Sequence, residues 1–209
     1  MRLQALLLSV LLAGAASPAL AQERHVGLKA GANFSALEFE GEATTEYTDR
    51  KFGFIGGGFA VFPLSGPLAV QIEALFSQKG AELSVDEANL VFTLELDYLD
   101  FPVLARFNAP ASGATRLHVF AGPSFGYRMG ARSKVSSNQF DFAEGEIVNI
   151  EEDIRRFDIG LVAGAGADIG QRLVVDARYS WGLTTATKDN IEGVTFKNRV
   201  LSIMAGVRF

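Results

Sequence analysis

Few residues in this chain are equipped for covalent chemistry. It has two histidines, His25 and His118, and no cysteine. A zinc site draws about four ligands together, normally as Cys or His pairs at short spacing, and no such spacing occurs. Ser124 lies near His118, but there is no Gly-x-Ser-x-Gly elbow and no third partner to orient the imidazole. Asp97 and Asp100 flank Tyr98. At that spacing on a strand they point to opposite faces and do not form an acid–base pair. The run Gly164-Ala165-Gly166-Ala167-Asp168-Ile169-Gly170 misses the dinucleotide-loop spacing and leads into a further strand instead of a helix. No catalytic, cofactor or metal site is expected, and the chain reads as a non-enzyme.

What remains is a large set of charged residues on strands, and the strands decide where those charges go. Apolar and polar residues alternate with period two along most of the chain, as strands with two unlike faces require. Val26, Leu28, Ala30, Ala32 and Phe34 alternate with Gly27, Lys29, Gly31 and Asn33, and Leu68, Val70, Ile72, Ala74 and Phe76 with Gln71, Glu73 and Ser77. The same pattern runs through 117–128, 157–168, 173–182 and 201–209. Residues 93–107 set Phe101, Val103, Ala105 and Phe107 against Asp100 and Arg106. Residues 51–62 are less regular, with Ile55 and Phe59 out of phase with Phe54 and Phe62, and Gly56-Gly57-Gly58 is expected to hold a bulge. That makes eight strands.

The connections alternate between long and short. Long ones cover 36–50, 80–92, 131–153 and 184–196, and short ones cover 63–67, 108–115 and 170–171. An up-and-down barrel with one elaborated rim and one tight rim produces this pattern. The expected fold is therefore all-β: an eight-stranded antiparallel up-and-down transmembrane β-barrel of the outer-membrane type. It should be closed, because an open edge in lipid leaves backbone groups unpaired.

Periodicity does not by itself say which face points in. A soluble lipocalin-like periplasmic barrel alternates in the same way, with its apolar face inside. Three features favour apolar outward. The polar face is rich in Gly, which leaves room for long side chains in a narrow lumen. The aromatic residues Phe34, Phe76, Phe107, Phe125, Tyr127, Tyr179, Trp181 and Phe209 collect near strand ends, as interfacial girdles do. The last strand ends on Phe209. The lumen would then carry Lys29, Glu73, Lys79, Asp100, Arg106, Arg128, Asp158, Asp168, Asp176, Arg178 and Arg208. Charges in so tight a space must be paired or wet, so a polar network plugging the lumen is expected, not an open pore.

Residues 1–21 read as a signal peptide, with Arg2, an apolar run over 5–16 and Ala19-Leu20-Ala21 before a cleavage at Gln22. Residues 22–209 are the barrel domain. The formal charge is −5, and losing Arg2 with the signal makes the mature chain one unit more acidic, which argues against nucleic acid. Acidic clusters in the first long connection (Glu38, Glu40, Glu42, Glu46, Asp49) and the longest one (Asp141, Glu144, Glu146, Glu151, Glu152, Asp153) are read as solvated loops. Holding divalent cations beside lipopolysaccharide is the sharper alternative.

The segments Gly27-Leu28-Lys29-Ala30-Gly31-Ala32-Asn33-Phe34-Ser35 and Gln71-Ile72-Glu73-Ala74-Leu75-Phe76-Ser77-Gln78-Lys79-Gly80 resemble the PorT-like, or outer membrane protein beta-barrel domain, family. So do Tyr98-Leu99-Asp100-Phe101-Pro102-Val103-Leu104, with Asp100 where the family commonly has Glu, Asp158-Ile159-Gly160-Leu161 with Gly164-Ala165-Gly166, and the stretch Ala177 to Thr184. The resemblance covers nearly the whole mature chain in order. It implies a monomeric outer-membrane barrel, with Phe209 as the terminal signal read by the barrel assembly machinery and with lipid and lipopolysaccharide as its surroundings. It implies no activity. A structural, adhesive or interaction role is expected. A membrane-embedded lipid-modifying enzyme and a soluble ligand-binding barrel are the competing readings.

Overall fold

The computed structural model describes residues 25–40, 45–47, 49–85, 90–137, 148–149, 155–185 and 195–209. The signal-peptide reading and most of the acidic-loop residues, Glu42 and those of 141–153 among them, lie outside the described residues.

Strands β1 (His25–Glu40), β3 (Lys51–Pro63), β4 (Leu68–Val85), β5 (Leu90–Asn108), β6 (Thr115–Ser137), β8 (Phe157–Ile169), β9 (Leu173–Gly182) and β10 (Thr195–Arg208) form the wall. Each pairs antiparallel with its neighbour in the order β1-β3-β4-β5-β6-β8-β9-β10, and β10 pairs back onto β1 to close the ring. Two short strands, β2 (Thr45–Tyr47) and β7 (Val148–Asn149), add to β1 and β6 at the long-connection end. At the other end tight turns carry left-handed glycines at Gly66, Gly113 and Gly170, a conformation that glycine adopts without a Cβ penalty.

Side-chain burial shows which face is which. Val26, Leu28, Leu68, Ile72, Val103, Leu117, Val119, Ile159, Leu161, Leu173 and Ile203 are exposed on the outside, while Lys29, Glu73, Asp176 and Arg178 are buried within. This is the inverse of a soluble barrel, whose interior would be the apolar side. Aromatic residues concentrate on the outside toward the long-connection end, where Tyr179 meets Trp181 at a tilt with ring centres 4.7 Å apart, and Tyr127 meets Phe157 at 5.5 Å and Phe34 meets Phe52 at 5.8 Å edge to face.

Two details differ from the sequence reading. The glycine triplet holds no bulge: Gly56, Gly57 and Gly58 pair in unbroken register with Ala30, Lys29 and Leu28 on one side and with Phe76, Leu75 and Ala74 on the other. Ile55 and Phe59 are out of phase because they point inward, buried on the lumen side. The irregularity lies elsewhere, between β5 and β6, where Asp97 pairs with Gly130 but Tyr98 pairs with Arg128. The extra residue on β6, Met129, turns outward and is exposed, as a bulge allows. The strands also run farther than expected, into the stretches read as connections. β4, β5 and β6 continue to Val85, from Leu90 and to Ser137.

The charged interior as candidate functional site

The inward positions of a strand recur every second residue, so height in the barrel can be read along β4. From the short-turn end these are Ala69, Gln71, Glu73, Leu75, Ser77, Lys79 and Ala81, all buried. The interior is built in layers that follow this ladder.

At the mouth, Phe59, Val61, Ala69 and Val174 form an apolar cluster. Above it lies the densest ionic layer. Lys29 Nζ donates to Glu73 at 2.7 Å and to Asp176 at 3.1 Å. Arg178 donates Nη1 to Glu73 Oε2 at 2.6 Å and Nη2 to Glu73 Oε1 at 3.1 Å, a two-pronged grip, and its Nε donates to Asp176 at 3.1 Å. Two cations and two anions cancel. All four side chains are within a few percent of complete burial, so each charge depends on its partners for the solvation it has lost. Phe120 lies under the Arg178 guanidinium at 4.9 Å, a further stabilising contact for a desolvated cation.

Gln71 joins this group to a second one. Its amide nitrogen donates to Glu73, and its carbonyl oxygen accepts from Arg106 Nη1 at 2.9 Å. Arg106 also donates to Asn108 at 2.8 Å and to Asp168 at 2.6 Å, and Asp168 meets Arg208 at 3.1 Å. Arg106 Nη2 lies 3.1 Å from His118 Nδ1. A guanidinium only donates, so Nδ1 is an acceptor here and has no proton to offer the nearby Asp168. Among the described residues Asp168 Oδ1 is accordingly buried without a hydrogen-bond partner. His118 is a structural acceptor in this arrangement. Ser124 lines a different space, a cavity of about 30 Å³ beside Lys79, Asp100 and Asp158, so the two do not form a nucleophile and base.

The next layer is apolar, with Ile55, Leu75 and Met204 on one side and Leu104, Phe120 and Val162 on the other. Toward the long-connection end the polar groups are sparser. Lys79 binds Asp100 at 3.0 Å and lies 4.5 Å from the centre of the Tyr98 ring. Asp158 accepts from Thr184 at 2.6 Å and from Asn198 at 3.2 Å. Asn33 bridges Ser77 at 3.0 Å and Ser202 at 2.7 Å. Arg128 donates to the Arg155 carbonyl at 3.3 Å. Asp97 is on the outer side, bonded to Arg132 at 3.0 Å, away from Asp100.

The inward residues named from the sequence thus fall into groups. Lys29, Glu73, Asp176 and Arg178 meet directly. Arg106, Asp168 and Arg208 meet each other, and Lys79 meets Asp100. Asp158 and Arg128 keep separate company. The uncharged residues Gln71, Asn33, Ser202 and Asn198 share this face, as their place in the two-residue repeat requires, and bond into the same interior. Glycine makes the crossing possible. A Cβ on Gly164 would lie 2.7 Å from the Phe120 ring, and one on Gly166 would lie 2.6 Å from His118 Nε2.

The family model for the outer membrane protein beta-barrel domain matches residues 20–188. No curated protein matches the chain. Solved barrels are similar at low identity. Ail, the attachment invasion locus protein of Yersinia pestis, is 18% identical over 90% of this chain and 100% of its own, with a TM-score of 0.43. Neisserial surface protein A (NspA) is 12% identical over 89% and 97%, with a TM-score of 0.45. OprG from Pseudomonas aeruginosa is 12% identical over 88% and 95%, with a TM-score of 0.44.

Proposed function

This chain belongs to the outer membrane protein beta-barrel domain family and so is an outer-membrane barrel; from that premise we propose that it is a non-enzymatic protein, closed to solutes, that acts through its rim and loops in a structural, adhesive or interaction role. One observation carries the closed lumen. Arg178 on β9 grips Glu73 on β4 at 2.6 Å, and those strands are four places apart in the ring of eight, on opposite walls. An eight-stranded barrel has an interior just wide enough for side chains, and this contact spans it.

The long-connection end supports the outward role. A strand crosses a bilayer in about 9–11 residues, yet β5 has 19 and β6 has 23. Their surplus lengths pair with each other as a two-stranded ribbon that continues past the apolar band. In barrels of this kind the long connections are extracellular and the tight turns periplasmic. The narrower PorT-like placement rests on the motif segments, above all Tyr98 to Leu104. Lipid, lipopolysaccharide and a monomeric state complete the reading, with a cleaved leader over residues 1–21.

Reconstitution into planar bilayers tests the central part. The expected result is a bilayer that stays electrically silent, with protein incorporation verified by heat-modifiable gel mobility. Steady, reproducible channel conductance from the folded barrel would overturn it. Turnover of lipid A or phospholipid by the purified barrel would overturn the non-enzymatic part.

A further inference from the structure

We propose that the vestibule at the short-turn mouth binds a small organic anion with a compact apolar body, admitted from the periplasmic side. The cavity holds about 500 Å³, within the usual size range of small-ligand sites. Its inner wall is apolar, formed by Phe59, Val61, Ala69 and Val174 from three strands. Its charge is unbalanced. Arg106 and Arg208 share the single carboxylate of Asp168, at 2.6 and 3.1 Å. One carboxylate offsets one guanidinium, so this trio keeps one positive charge.

Arg116 supplies another. It lies directly across from Asp168 in the β6–β8 register and lines the same cavity. Among the described residues it has no hydrogen-bond or ion-pair partner, because the one carboxylate beside it is already held by two other arginines. The layer above has no comparable excess, since Lys29 and Arg178 are matched by Glu73 and Asp176. Uncompensated positive charge in a cleft with low-dielectric walls concentrates anions. A guanidinium with free N–H groups also fits the planar oxygens of a carboxylate or the face of a phosphate. The apolar wall selects among anions for those with a hydrophobic body. A cationic molecule is repelled, and a neutral one gains at most a hydrogen bond from Arg116, without the charge attraction.

Two sources present this chemistry: a free carboxylate or phosphomonoester in the periplasm, and the headgroup phosphate of an anionic phospholipid in the adjoining leaflet. The site is independent of the closed-lumen reading, because a silent bilayer neither requires it nor follows from it.

The test uses the full mature barrel in phosphatidylcholine nanodiscs, with 4-phenylbutyrate as probe and the amide resonances of Ala69, Ala109 and Val174 as reporters. The expected result is a saturable shift at these residues. The uncharged analogue 4-phenylbutyramide should bind about fivefold more weakly, an exposed ion pair contributing up to about 1 kcal/mol. Arg116→Gln should weaken the carboxylate more than the amide, and Arg116→Lys should recover most of the carboxylate's loss. Arg116 is exposed and unpaired, so both variants should keep the wild-type spectrum elsewhere. In discs containing phosphatidylglycerol, loss of probe binding would identify the lipid phosphate as occupant, and unchanged binding would identify a free anion. Either upholds the site. Absence of a saturable shift in phosphatidylcholine discs, equal binding of acid and amide, or an Arg116→Gln variant that binds like wild type would overturn it.

Discussion

Ala177 and Arg178 are neighbours in β9, yet they live in opposite media. The Arg178 guanidinium is buried in the lumen, held by Glu73 and Asp176, while Ala177 is exposed on the outer face between Ala165 and Ile203 of the adjoining strands. A charge is held at the first position because two carboxylates, those of Glu73 and Asp176, converge on it. The same charge one residue earlier would meet hydrocarbon. The lesson is that the wall of a small barrel separates two solvents, and each must be satisfied by its own rule: pairing inside, apolarity outside.

The comparison breaks most sharply if an inner partner is removed. Glu73→Gln leaves Lys29 and Arg178 with Asp176 as their one remaining shared anion, and breaking a buried ion pair from one side costs about 3–5 kcal/mol. Urea unfolding in lipid vesicles should show that loss. A stability within 1 kcal/mol of wild type would mean that water, not Glu73, solvates the two cations. On the other side of the wall, Ala177→Arg should cost about 2–4 kcal/mol in the same assay if the position sits near the bilayer midplane. Tolerance there would reverse the assignment of faces.

Steric limits inside should be smaller but measurable. Gly164→Val places atoms against the Phe120 ring, 2.7 Å from the first added carbon, and overpacking of this kind costs about 1–3 kcal/mol. In a Phe120→Ala background the added cost of Gly164→Val should shrink but not vanish, because the new carbon also meets the Ala177 carbonyl oxygen at 2.5 Å. The smallest effect is expected for Arg132→Gln. Its contact with Asp97 is half exposed at the arginine, and such surface pairs contribute about 0–1 kcal/mol. A loss comparable to that of Glu73→Gln would show that the ribbon beyond the membrane band is as tightly coupled as the lumen.

Much of this was legible in the chain itself. The alternation of Leu173, Val175 and Ala177 with Asp176 and Arg178 assigns each residue to a face, because a strand turns its side chains by half a revolution per residue. The alternating connection lengths give the antiparallel order. Other features needed the neighbours. Ile55 and Phe59 look like errors in the alternation until the lumen is seen to contain apolar layers on either side of its densest ionic one. The bulge was misplaced because Gly-rich composition is a weak local signal, whereas the register shift at Asp97 and Tyr98 is a property of the β5–β6 pair.

Face and topology, then, were determined by the sequence, through a two-residue period that follows from backbone geometry alone. Partnership was decided by tertiary structure. Lys29 meets Glu73, 44 residues on, and Asp176, 147 residues on, because closure of the ring and the stagger between strands bring those inward positions to one height. Periodicity carries no information about that stagger, since sliding a strand by two residues preserves every face while exchanging every partner.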